Sequence, residues 1–437
     1  MLNIQLKGLI RKEGASVIGA DKEFVDRVLT MPIDADEYIT LGDSIRHIGV
    51  TDRFKDVIKT FATPAGQTPA GFRRELVIDA DQTLRVDLVR DISYDTNGEK
   101  RPTELLFSAD SANPYEVASI SNLIANLTCN PGIVYDLFIN NPKANVGNKY
   151  KTRDEVMGEI SKILGPGCDI SVELNNPFEK SFDAILEECE KFKKMFSEYR
   201  IVIKVPHTGP VNADTVGSLL EGDKRHPVHF SKGSTADALL GHNLAYKLQQ
   251  QGYRINFTLM FEPYQTQLAL QARPYFINSF VRHRLVQSTA LKMHLAAFEA
   301  DEDVKHIEKL RDFMMSVDLL APGDEKMDLL KVLKLAKDTL NYRRVDDEEG
   351  SDGLDGVRHN LRVMRQCNMP DTRLIICSME GEYNYPDLDK LLADDEFSDM
   401  AGKVVITAEP AYLARFTSTN QVVSYQRRFM NAANGMK

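Results

Sequence analysis

From Glu104 onward the chain alternates short apolar segments with amphipathic stretches at helical spacing, the rhythm of a parallel sheet built from βαβ units. The pattern predicts strands over 104–109, 127–128, 169–174, 201–205, 255–259, 275–277, 374–377 and 404–406. Helical patterns over 114–126, 131–139, 153–164, 181–196, 236–251, 264–271 and 386–392 fill most of the gaps. Eight such units predict an α/β protein with a closed (β/α)8 TIM barrel rather than an open sheet.

Two segments lie outside that rhythm. Residues 1–100 form an N-terminal extension, with short helices after Asp21 and Thr51, a loop over 62–71, a strand over 75–94 and turn residues at Asp95 to Gly98. No role follows from these features. The barrel is then expected over 101–437, with a mostly helical insertion, 282–372, between strands six and seven. The acidic, Gly-rich run 346–356 inside it reads as a solvated loop rather than an acidic binding site.

Charge narrows the partners. With 54 basic against 64 acidic side chains the net charge is -10, which argues against a surface dedicated to nucleic acid or anionic lipid. Small molecules or proteins fit better, and a homo-oligomer is compatible. No apolar run approaches the roughly 18 to 20 residues that cross a bilayer, and Met1 to Ile10 lacks the pattern of a secretion signal. Five widely spaced cysteines without a C-x-x-C pair read as reduced thiols, hence a cytoplasmic protein.

Catalytic groups of such a barrel sit at the C-terminal ends of the strands. Read in order, those ends carry Asp110, Asn130, Glu173, Lys204, then Asn256 and Thr258. Lys204 stands between Ile203 and Val205 in an apolar strand. Burial there should lower its pKa and leave a nucleophilic amine able to condense with a ketone. The alternative is an outward lysine satisfied by a carboxylate. Asp110 and Glu173 could divide the proton transfers of an aldol cleavage, or serve as a helix cap and a salt-bridge partner.

These residues in this order resemble the transaldolase family, which includes the fructose 6-phosphate aldolases. The segments that carry the resemblance are FSADSANP, TCNPGIV, ISVEL, VIKVPHTG, GYRINFTLMF and FINSFV, from Leu105 to Val281, with a weaker echo at VVITAEPAYL. The resemblance implies that Lys204 is the Schiff-base lysine, Asp110 the acid/base aspartate, and Glu173 with Thr258 the pair that holds the catalytic water. It implies that Asn130 and Asn256 bind substrate hydroxyls, that Asn278, Ser279, Arg282 and Arg284 lie in the substrate-binding segment after strand six, and that the reaction needs no metal or cofactor. The expected activity is transfer or cleavage of a dihydroxyacetone-type unit from a ketose, with a sugar phosphate as the expected donor, as in carbohydrate metabolism of the pentose phosphate kind; a transaldolase passes the unit to an aldehyde, whereas an aldolase-like lyase protonates it.

Departures from the family's pattern bear on the substrate. Family members hold phosphate with arginines after strands six and seven. Here strand six is followed by Asn278-Ser279-Phe280-Val281-Arg282-His283-Arg284, with the arginine displaced by one, and strand seven by Ser378-Met379-Glu380-Gly381-Glu382-Tyr383-Asn384. Carboxylates there would repel a phosphate, and Glu262 is acidic where the family commonly has Ser. A donor with a different or differently placed charged end is therefore expected. A barrel that keeps these residues while acting as a catalytically inactive binding or scaffold protein is the competing reading. His226 and His229 lack further metal ligands at suitable spacing, His207 reads as a loop residue that could face the mouth, and Cys129 as packing.

Overall fold

A computed structural model describes residues 4–377 and 381–435. Its N-terminal part contains β1 (Ile4–Gln5), α1 (Lys7–Glu13), β2 (Ser16–Val17), α2 (Lys22–Val28), β3 (Pro32–Ile33), α3 (Ala35–Gly42), β4 (His47–Val50), α4 (Asp52–Thr60), β5 (Phe72–Ile78) and β6 (Thr83–Arg90). Four of these strands form one sheet in the order β2-β4-β6-β5, parallel except for the β5/β6 hairpin. The expected single strand over 75–94 is thus broken. Asp79 accepts from the Gln82 amide at 2.9 Å and Gln82 takes φ 63°, a left-handed turn that reverses the chain between β5 and β6. Leu6, Leu9, Val25, Val28, Ile48, Phe54, Phe72 and Leu84 are fully buried in a core of its own.

The remaining strands are β7 (Leu106–Asp110), β8 (Ile124–Cys129), β9 (Asp169–Glu173), β10 (Ile201–Pro206), β11 (Ile255–Thr258), β12 (Phe276–Phe280), β13 (Arg373–Cys377) and β14 (Val404–Ala408). They close into one barrel in which every pairing is parallel. The fold is a (β/α)8 TIM barrel. Helices α5 (Pro114–Ile120), α6 (Arg153–Leu164), α7 (Phe182–Phe196), α8 (Thr235–Ala238), α9 (Leu240–Gln250) and α10 (Gln265–Gln271) follow its first five strands, and a π-helical segment, Gly132–Ile139, precedes α6. Period-two alternation sorts each strand. Ile170, Val172, Ile203, Val205, Phe257 and Ile277 face the helices, whereas Leu106, Val202, Phe276, Ile375 and Val405 fill the interior.

The N-terminal part seals the bottom of this barrel. Ile92, just beyond β6, is fully buried among the interior residues. Around it Arg90 donates to Asp169 at 2.7 Å, Arg254 approaches the same carboxylate at 3.3 Å, and Arg373 donates to Asp91 at 3.3 Å. Asp169 and Arg373 are the first residues of β9 and β13, so these pairs close the N-terminal face and leave the opposite end for chemistry.

Between β12 and β13 run α11 (Val281–Asp301), α12 (Lys305–Ser316), α13 (Leu329–Tyr342) and α14 (Asp355–Arg365). The first three share a core of Leu291, Leu310, Met314, Val332 and Ala336, and α14 packs on β12 and β13 as a barrel helix does. The acidic run leading into α14 is only in part the solvated loop the sequence suggested: Asp346, Asp347, Glu348 and Ser351 are exposed, whereas its other carboxylates are paired. Its Glu349, Asp352 and Asp355 pair with Arg362, Arg358 and Arg284 at 2.6–2.9 Å, because a tight connection there buries Gly350, where a Cβ would lie 2.1 Å from the Arg343 carbonyl. Helices α15 (Gly381–Ala393), α16 (Pro410–Arg415) and α17 (Asn420–Ala433) complete the described chain. Among the described residues no helix is long and apolar enough to cross a membrane.

Candidate active site

The inward positions near the C-terminal ends of the strands are polar, which is costly unless each group is partnered or used. Alternation places Asp110, Thr128, Glu173, Lys204, Asn256, Thr258, Asn278, Cys377 and Thr407 on the same side as the interior apolar set. Register supports this. Lys204 is aligned with Glu173 on one side and with Asn256 on the other, Asp110 with Thr128, and Ser108 with Thr407.

Lys204 is 6% exposed, and its Nζ lies 3.3 Å from Glu173 Oε2. Asp110 accepts from Thr128 Oγ1 at 2.9 Å. Beneath them Asn126 donates to Ser108 at 2.9 Å and accepts from Ser171 at 3.1 Å, a satisfied layer that fixes the floor of the site. Burial pushes the carboxyl groups of Asp110 and Glu173 above the usual range, with the nearby ammonium only partly offsetting it. Burial acts to lower the Lys204 pKa, but the carboxylates of Glu173 and Asp110 outweigh it, so the amine is raised, not lowered as the sequence suggested. The lysine is inward and ion-paired at once, so a carboxylate partner and a place in the barrel interior are not alternatives. Opening this pair requires a proton to pass from Lys204 to a carboxylate whose own affinity for it is raised, and 3.3 Å is within reach of that transfer.

The far wall is built from amides. Asn278 donates to Asn256 Oδ1 at 2.6 Å and to the Phe257 carbonyl at 2.8 Å. That turns the Asn256 amide so that its Nδ2 has no partner among the described residues, and Thr258 Oγ1 and Thr407 Oγ1 have none there either, although all three residues are at most 3% exposed. Such groups suit a ligand rich in hydroxyls. Asn130 accepts from the Ile133 amide at 2.9 Å, which fixes the turn after β8. Cys377 and Thr407 escaped the sequence reading. Their signal is a polar or thiol side chain at the end of an apolar strand, in LIIC and VVITA. Burial raises the Cys377 thiol, whose Sγ lies 3.8 Å from Asn278 Oδ1.

Ser279 and Arg284 are not brought into this interior. Ser279 has the opposite parity to Asn278, and Arg284, 5% exposed, is held by Asp355 at 2.6 and 2.9 Å and by Glu262 at 3.0 Å. Arg343, from the end of α13, grips the other Glu262 oxygen at 2.9 Å. The acidic Glu262 thus secures the insertion to the barrel. Arg282 is exposed in the first turn of α11. His207 stacks on outward-facing Phe257 at 4.3 Å, and burial depresses it to about 4, which makes it a neutral packing residue. Ser378, Met379 and Glu380 lie outside the described residues, as do the side chains of Gly381, Glu382, Tyr383 and Asn384.

Residues 107–321, from the first barrel strand into the connection after α12, match the model of the transaldolase/fructose-6-phosphate aldolase family. No curated protein matches the chain.

Proposed function

We propose, from the premise that this chain belongs to the transaldolase/fructose-6-phosphate aldolase family, that it is a class I enzyme whose Lys204 forms a Schiff base with a ketose. The observation that carries the reading is a lysine buried in the barrel interior, 3.3 Å from one carboxylate and within the field of a second. Substrate entry shifts the Lys204 proton to Glu173 and frees the amine to attack the ketone carbon. Loss of water from the carbinolamine gives the iminium ion, with Glu173 and Thr258 handling the water. Asp110 takes the proton from the hydroxyl beyond the scissile C–C bond, an aldehyde leaves, and the electron pair is stored as an enamine on Lys204. Addition of an acceptor aldehyde (transaldolase) or of a proton (aldolase) returns the enamine to an iminium ion, and water then hydrolyses it to release the product and restore the Lys204 amine. Asn130, Asn256 and Asn278 line the path of the substrate hydroxyls.

The charged end of the donor is read differently from a simple phosphate clamp. Arg284 is already neutralised by Asp355 and Glu262, which supports a ketose whose anionic group, if it has one, is met elsewhere. Turnover of fructose 6-phosphate with and without erythrose 4-phosphate, beside unphosphorylated ketoses, tests this. Ordinary transaldolase kinetics that collapse in Arg284→Met would contradict it. For the Schiff base itself, borohydride trapping that survives in Lys204→Met would overturn the assignment.

A further inference from the structure

The step out of β11 breaks the alternation that builds the mouth of the barrel. Asn256 and Thr258 point inward, so Met260 should be the next to do so, with Leu259 turned toward the helices. The reverse is found. Met260 is 2% exposed within the helix-facing core, and Leu259 is 37% exposed. Leu259 makes the exchange, because its φ of 58° is left-handed. Among the described non-glycine residues with positive φ it is the one with a hydrocarbon side chain, and that backbone is strained for a bulky residue. Both flanks of the reversal are fixed: the His207 amide donates to the Thr258 carbonyl at 3.1 Å, and the Phe280 amide to the Met260 carbonyl at 3.0 Å. The reversal itself is held by one side chain. Gln265, the first residue of α10, accepts from the Phe261 and Glu262 amides at 2.7 and 2.8 Å and donates to the Leu259 carbonyl at 3.1 Å.

We propose that Gln265 is a positioning residue that keeps Met260 out of the ketose site, acting through the strained turn at Leu259. This rests on the reading of the mouth as a ketose site. Strain gives the device its direction. A relaxed residue 259 would let β11 run on as an ordinary strand, and alternation would then carry the Met260 thioether to the next inward position beyond Asn256 and Thr258. There it would cover the amide and hydroxyl groups that lack partners among the described residues, which suit a hydroxyl-rich ligand. Strain of this kind persists where the surrounding structure enforces it, most often at functional sites. The expected effect is a shift of populations. Without the three Gln265 bonds the left-handed penalty is unopposed, and a penalty of that size favours the form with Met260 inward about tenfold. Ketose then binds the minor form, so KM rises by that factor while kcat at saturation holds.

The test is steady-state kinetics of the full chain with the ketose that it turns over fastest, on the wild type, Gln265→Leu and Gln265→Leu/Leu259→Gly, beside amide hydrogen exchange over residues 259–264 without substrate. Gln265→Leu should raise KM about tenfold, keep kcat within about twofold, and exchange the Phe261 and Glu262 amides faster. A misfolded fraction would instead lower kcat at constant KM, so the split separates positioning from damage. Adding Leu259→Gly, which takes a left-handed φ without strain, should bring KM back to within about threefold of the wild type. An unchanged KM, a fall in kcat in place of the rise in KM, or a double variant as poor as the single would each overturn the proposal, and all three leave the borohydride adduct of the wild type in place. A wild type that forms no such adduct with any ketose would overturn the functional reading, and the proposal with it.

Discussion

Replacing Lys204 by Met should do more than abolish chemistry, because it strips the counter-charge from two buried carboxylates. Two unit charges 3.3 Å apart attract by about 5 kcal/mol at an effective dielectric of about 20, and removing one member of a buried pair typically costs about 3–5 kcal/mol. Lys204→Met should therefore lose about 3 kcal/mol at pH 8, and Glu173→Gln added to it should restore most of that loss. Urea unfolding followed by circular dichroism, run as a double-mutant cycle, reads the coupling directly. Its pH dependence follows from the directions of the shifts. Lys204 is raised, so the stability from its ammonium is complete below the ordinary value of 10.5 and disappears as pH climbs through the higher folded value. Glu173 and Asp110 are also raised, so they take up protons above the usual carboxylate range as pH falls. The coupling should hold near pH 8 and shrink as pH falls toward the ordinary carboxyl value of 4.5 for Glu173. A coupling below about 1 kcal/mol at pH 8, the level of an exposed ion pair, or one that grows on acidification, would refute the electrostatic account.

Three further outcomes follow. Asp110→Asn should lower kcat about 10²- to 10⁴-fold, the usual worth of a positioned acid/base, while leaving borohydride trapping of the ketose intact; loss of trapping would assign Asp110 to imine formation instead. Arg284→Met should destabilise the chain by about 2 kcal/mol, since it leaves the half-buried Asp355 without its arginine, yet leave the KM ratio of phosphorylated to unphosphorylated ketose unchanged. Arg90→Met, which leaves Asp169 only the more distant Arg254, should cost about 2 kcal/mol and expose residues 1–100 to limited proteolysis before the barrel; simultaneous digestion of both would count against the seal at the bottom of the barrel.

The barrel was legible because its strands are apolar on the outward side and because short apolar runs alternate with helical patterns along the sequence. Lys204 and Glu173 in IVIKVP and ISVEL stand out against those runs, and alternation alone then brings them together. The N-terminal sheet was far less legible. Its β2 and β4 are only two and four residues long, too short for a periodicity to emerge, and the β5 to β6 reversal rests on Gln82, a residue type with no special preference for left-handed backbone. The acidic loop misled for a different reason. Asp355 finds its arginine 71 residues away in sequence, a spacing no local pattern records, while Glu349 and Asp352 pair with arginines of the following helix 13 and 6 residues on. Lys204 shows the limit of residue-by-residue electrostatics, since burial alone sets one direction and two carboxylates on other strands of the barrel, Glu173 on β9 and Asp110 on β7, reverse it.

The central claim is the covalent role of Lys204, and the most direct measurement is peptide mass spectrometry after borohydride reduction of the wild-type chain with fructose 6-phosphate or an unphosphorylated ketose. The account predicts a carbon adduct of the ketose or its three-carbon fragment on the peptide that contains Lys204, absent without substrate. An adduct confined to another lysine, or none with any ketose that the enzyme turns over, would contradict it.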